Sequence, residues 1–148
     1  MTRTAPSDST ADPSPAASPT LHYSPRALER ARRALVCSPF RLGLFAQMRI
    51  ESVAIGAVSD NRGIHSGYTR RPLAEVTAED ELMWLIQVGL LRREVDGQGL
   101  TDSFRLTPLG RQLVEVLLQN RFPDSRPTPS DQLYNALNRW WRLPGWFQ

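Results

Sequence analysis

The segment Leu82-Met-Trp-Leu-Ile-Gln-Val-Gly-Leu-Leu-Arg-Arg-Glu-Val-Asp-Gly-Gln-Gly-Leu-Thr-Asp-Ser-Phe-Arg-Leu-Thr-Pro-Leu-Gly-Arg111 changes its local pattern twice. Leu82, Leu85 and Ile86 recur at helical spacing. Gly89 then supplies the left-handed residue that commonly ends a helix. Leu91–Val95 and Ser103–Leu106 have the composition of short strands, and Asp96-Gly97 with Gly99 lets the chain reverse between them. The stretch from Asp96 to Asp102 is expected to be the exposed tip of this hairpin. Thr107 caps a new helix, and Pro108 occupies its first position, where a missing N–H costs nothing. The segment therefore reads as helix, hairpin, helix.

Upstream, Thr77-Ala-Glu-Asp80 has the form of a capping box, although the helix through Leu82 can start as early as Leu73. Ser59–Pro72 reads as a long loop and Ser52–Val58 as a short helix. Ser24-Pro25 and Ser38-Pro39 each start a helix. The first carries Leu28, Ala31 and Leu35 on one face, and the second carries Phe40, Leu44, Phe45 and Met48. Downstream, Leu109, Leu113, Val116 and Leu117 form a stripe, widened by Val114 and Leu118, that needs partners on two sides. A proline-rich stretch follows, and Ser130 is read as the cap of a last helix with Leu133, Leu137, Trp140 and Trp141 in one row. The fold class is mainly α: a winged helix-turn-helix with a two-stranded wing and extra N- and C-terminal helices. Residues 1–23 are read as a disordered tail, 24–122 as the winged-helix domain, 123–129 as a linker and 130–148 as an aromatic amphipathic helix.

The chain has 148 residues, room for one such domain. Lysine is absent, so all 18 basic residues are arginine, against 15 acids, for a net charge of +3. That balance suits nucleic acid or anionic surfaces without requiring either. The single cysteine, Cys37, excludes an internal disulfide and a cysteine-rich zinc site, and it is read as a small buried hydrophobe. No apolar run approaches the roughly 20 residues of a membrane span, and the N-terminus lacks the apolar core of a signal peptide. A cytoplasmic location is the default expectation.

Little in the sequence points to catalysis. The two histidines, His22 and His65, lie far apart, and no nucleophile elbow, phosphate loop or dinucleotide fingerprint is present. The chain is expected not to be an enzyme and to need no cofactor or metal. The candidate contact residues are arginines. Arg26, Arg30 and Arg33 share one face of the first helix, within a region of six arginines and one glutamate between Ser24 and Ile50. Tyr68, Arg70 and Arg71 sit in the long loop, while Arg92 and Arg105 alternate outward on the hairpin. Each group either grips a phosphate backbone or serves as a solvated face or loop anchor, and for the first helix the solvated face is the commoner case. A second candidate surface is apolar: Leu133, Leu137, Trp140, Trp141 and Trp146 are too many large side chains to leave in water. They are expected to pack onto the body, with the Leu109–Leu118 helix as the natural antiparallel neighbour, or onto a second subunit.

Gly89-Leu-Leu-Arg-Arg93, the turn, and Phe104-Arg-Leu-Thr-Pro-Leu-Gly-Arg111 resemble the wing of bacterial MarR-like and PadR-like regulators, over about Leu73 to Leu118. The chain is also similar to a small uncharacterised cyanobacterial protein family in Cys37-Ser-Pro-Phe-Arg-Leu42, Tyr68-Thr-Arg-Arg-Pro-Leu73 and Glu81 through Val114. The first resemblance implies that Glu75, Thr77, Glu79, Asp80 and Met83 occupy base-reading positions. Three of these are carboxylates, which suit a helix N-terminus but repel phosphates. The expected function is therefore a non-catalytic winged-helix adaptor that binds another protein, with a homodimer compatible. The alternative is a DNA-binding transcriptional regulator using the basic first helix, the Tyr68–Arg71 loop and the wing, with weak, salt-sensitive binding. A membrane role ranks below both.

Overall fold

The structure, a computed structural model, describes residues 22–120 and 126–140. Helix α1 (Pro25–Cys37) starts where Ser24 Oγ accepts from the Ala27 N–H at 3.2 Å, with Pro25 in the first turn. It buries Ala31, Ala34, Leu35 and Val36 and stops where Ser38 Oγ turns back to donate to the Leu35 carbonyl at 2.7 Å. Helix α2 (Leu42–Met48) buries Leu44, Phe45 and Met48, and Phe45 meets Phe40 edge to face, with ring centroids 6.4 Å apart.

Helix α2 starts behind Arg41 and not at Ser38-Pro39 as read from the sequence, because Phe40 is held in an antiparallel bridge to Thr69, and the next segment departs from the sequence reading as well. Residues 52–58 are not one short helix: Val53–Ala54 form strand β1, and only Ile55–Val58 turn helical, as α3. The long loop contains a further helix, α4 (Asp60–His65). Gly63 makes this helix fit, because a Cβ there would overlap the Val58 carbonyl and lie 2.7 Å from Thr69 Oγ1. Asp60 enters α4 with φ 51°, held by its N–H donating to the Leu73 carbonyl at 2.6 Å. Periodicity misses such elements because two to six residues carry too little pattern.

Helix α5 (Glu75–Gln87) begins two residues before Thr77, which lies inside its first turn and caps nothing. The capping-box reading of Thr77–Asp80 is thus overturned: Leu73 is buried, and anchoring it fixes the entry of the chain earlier. At the other end the Gly89 N–H donates to the Ile86 carbonyl and the Leu90 N–H to the Leu85 carbonyl, both at 2.9 Å, with Gly89 at φ 84°. That is the paired closure a left-handed glycine permits.

Strands β2 (Leu91–Asp96) and β3 (Gly99–Leu106) form the expected hairpin, but its tip is tighter than Asp96–Asp102. Asp96 pairs with Gly99, so the turn is Gly97-Gln98, tied by the Gln98 N–H donating to Asp96 Oδ1 at 2.7 Å. The register slips between Arg93 and Val95, and the Glu94 carbonyl there accepts from Thr101 Oγ1. The sheet has three strands rather than two: β1 pairs antiparallel with β3 through Val53↔Phe104 and Ala54↔Ser103, giving the order β1-β3-β2.

Helix α6 (Pro108–Gln119) is capped as expected: Thr107 Oγ1 accepts from the Gly110 N–H at 3.1 Å and also donates to the Gly89 and Leu90 carbonyls, locking both ends of the hairpin together. The last described element is α7 (Pro129–Trp140). It starts one residue before the Ser130 cap inferred from sequence, and Trp141 and Trp146 lie outside the described residues. The fold is mainly helical, seven helices and three strands among the described residues, around a core from Ala31 to Val114 in which Phe40, Phe45, Phe104 and Leu82 are fully buried. No helix among the described residues is long and apolar enough to cross a membrane.

Candidate functional site

Helix α7 does not sit as its apolar row suggests. It lies against α1, and polar side chains make the joint. Thr128 and Asp131 cap each other: the Asp131 N–H donates to Thr128 Oγ1 at 3.2 Å, while the Thr128 N–H and hydroxyl donate to Asp131 Oδ2 at 3.3 and 2.8 Å. The other carboxylate oxygen takes a 3.0 Å bond from Arg32 Nη2 on α1. Arg33 Nε stands 3.2 Å from Glu29 and 3.6 Å from Asp131 without hydrogen-bond alignment, and its guanidinium lies 4.8 Å from the centre of the Tyr134 ring. Two further bonds reach α5: buried Trp84 Nε1 donates to Asn135 Oδ1 at 3.1 Å, and Arg139 pairs with Glu81 at 2.9 Å.

The electrostatics follow this geometry. The Thr128 hydroxyl and then Arg32 hold the Asp131 carboxyl below its ordinary range against the opposing effect of burial. Arg32 does the same for Glu29, and its own guanidinium is raised by Glu29 first and Asp131 second. Burial pushes the half-buried Cys37 thiol up, away from the reactive thiolate.

With the polar face turned inward, the apolar row faces solvent. Leu133 is 61% exposed, Leu137 41% and Trp140 74%, and Ala136 lies between them in the same surface. This corrects the first of the two expected seats, the body against α6, and leaves the other, a second subunit, as it stood. The helix does dock, but on α1 and α5 and through its other face. The residues that seat it (Thr128, Asp131, Asn135 and Glu81) were missed in the sequence. Thr128-Pro-Ser-Asp131 does carry a legible cap-and-proline signal, with Thr128 two residues before Ser130.

The arginine candidates separate into three places. Arg26, Arg30 and Arg33 come together with Asn138 in a cleft of about 460 Å³ between α1 and α7. Tyr68 is half-buried against the core, and Arg70 Nη1 donates to the Ser38 carbonyl at 2.9 Å, so that segment fastens α4 to the α1–α2 junction; Arg71 is exposed. On the hairpin Arg92 stands opposite Arg105, with Glu94 3.0 Å from Arg105 and 3.9 Å from Arg92. Arg105 also bonds the Ile50 carbonyl, and Arg93 pairs with Glu79 while lying over Phe104. Among the described residues no group of three or more His, Cys, Asp or Glu is placed to hold a metal ion.

The elements thus define a mainly helical domain with a small antiparallel sheet and a displayed C-terminal helix. The chain belongs to the Npun_F0494-like family, whose model matches residues 21–139 and so spans nearly every element described. Comparison with curated proteins finds no match, and neither does comparison with solved structures.

Proposed function

We propose that this protein is a non-catalytic winged-helix adaptor of the cytoplasm that binds another protein through α7. The order α2, β1, α3–α4, α5, β2, β3, with β1 completing the sheet beside β3, supports the winged-helix reading. The observation that carries the function is the inverted seat of α7: among the described residues the side-chain bonds that fix the helix come from its polar side, and Leu133, Leu137 and Trp140 are exposed. Polar docking holds the row in place while leaving it free, whereas a helix serving only to complete the core would bury it. DNA binding is less well supported, since Arg93 and Arg105 are held by acids of this chain, Arg92 has Glu94 near it, and the start of α5 carries Glu75, Glu79 and Asp80.

Affinity capture from the native host, with and without nuclease, tests this reading. The wild-type chain should retain a protein after nuclease treatment, and Leu133→Asp/Leu137→Asp should lose it. Capture that disappears with nuclease, or that both chains show equally, would refute it.

A further inference from the structure

Resting on that reading, the charge around α7 narrows the chemistry of the partner. The helical repeat sets the order of side chains around α7. Asn138 faces the α1 cleft, Tyr134 leads out of it over Arg33, Leu137, Leu133 and Trp140 form the outward row, and Arg139 leads down to Glu81 on α5. The two flanks carry opposite charge. Helix α1 has four arginines and one glutamate, and that glutamate is already held by Arg32 and Arg33. Arg26 and Arg30 enter no ion pair among the described residues, and Arg30 Nε is shielded from water without a hydrogen-bond partner. On the other flank α5 presents Glu81, paired with Arg139, and next to it in sequence the exposed Asp80.

A flat anionic surface seated on the apolar row would meet the arginines on one side and these carboxylates on the other. A rod about 10–12 Å across, the width of one α-helix, can touch the row and the α1 flank alone. We propose that the α1–α7 surface receives an acidic amphipathic helix of a partner protein, its apolar row on Leu133, Leu137 and Trp140 and its carboxylates toward Arg26 and Arg30. Such a helix presents large apolar residues at i, i+3 or i+4 and i+7, with Asp or Glu along one edge. Trp140 and Leu137 supply the buried anchor, while the arginines set orientation and discriminate against basic helices. The guanidinium fork suits a carboxylate approaching from the cleft mouth.

Panning the full chain against a phage-displayed library of random peptides tests this. Enriched peptides should carry the apolar helical spacing with an acidic edge. Synthetic copies should lose binding to Leu137→Asp and to Trp140→Ala, and weaken about tenfold or more against Arg26→Glu/Arg30→Glu. These side chains are outside the core, and far-UV circular dichroism checks that each variant keeps its fold. Enrichment of basic or non-periodic peptides, no enrichment, or indifference to Arg26→Glu/Arg30→Glu would overturn the proposal. So would co-sedimentation with phosphatidylglycerol–phosphatidylcholine vesicles, or self-association by sedimentation velocity, if either is abolished by Leu137→Asp. Host capture that depends on the apolar row but not on an acidic peptide would sink this inference and leave the adaptor reading intact. Loss of all row-dependent protein capture would remove both.

Discussion

Replacing Asp131 with alanine should release α7 without unfolding the rest of the protein. Two contributions are removed. The carboxylate half of the reciprocal cap, which accepts from the Thr128 N–H and hydroxyl, is worth about 0.5–1 kcal/mol, while the backbone N–H of residue 131 keeps its bond to Thr128 Oγ1. The contacts with Arg32 and Arg33, whose side chains are 35% and 27% exposed, add about 0.5–1 kcal/mol once solvent screening is allowed for. Together the loss is about 1–2 kcal/mol, raising the population with α7 detached by about five- to thirtyfold. The buried hydrophobic core runs from Ala31 to Val114 and includes nothing from α7, so the global unfolding midpoint should barely move. Asp131→Asn separates the contributions, because an amide oxygen can still accept from the Thr128 N–H while the charge is gone. It should cost only the ion-pair share. Hydrogen exchange read by mass spectrometry follows α7 and α5 in the same sample. The expected result is faster exchange in 129–140 with 75–87 unchanged, larger for alanine than for asparagine. Unchanged exchange in α7, or equal acceleration in both helices, would refute the polar-latch argument.

Acid should open the same joint. Asp131 and Glu29 both have folded-state pKa values below their ordinary ones, so the stability they contribute is complete above the usual carboxylate range and is lost as pH falls through it toward the folded values. Exchange in α7 should therefore rise below about pH 4 before the core opens, and Asp131→Ala should flatten that dependence. Gly110→Ala should destabilise the whole domain, because its Cβ would overlap the Leu90 carbonyl and crowd Leu106; urea unfolding should show a loss of about 1–3 kcal/mol, and a neutral result would contradict the packing of α6 on the hairpin. Duplex DNA should bind weakly, with strong salt sensitivity and no sequence preference; tight binding to one sequence that survives moderate salt would favour a transcriptional regulator instead.

Several features were legible from neighbouring residues alone. Ser24-Pro25, Gly89 and Thr107-Pro108 bound their helices where expected, and the chain reverses beside Asp96-Gly97, since caps and turns are made within four or five residues. The alternation around Phe104 and Arg105 also holds, because the strand period itself puts one inward and the other outward. Strand β1 was not legible: Val53-Ala54 acquires extended pairing only because Phe104, 51 residues after Val53, offers an edge. The arginines looked alike in the sequence and differ in the fold, where Glu94, Glu79 and Asp131 engage some of them and leave Arg26 and Arg30 without an ion pair among the described residues. Helix α7 makes the division plainest. Its spacing establishes an apolar face and a polar face, and apolar area ordinarily goes inward. Which face is covered depends on what the neighbouring surface offers, and α1 and α5 present Arg32, Arg33, Glu81 and the Trp84 N–H, all of which need polar partners. Only the tertiary arrangement brings those groups together, so only it decides that the apolar row faces water.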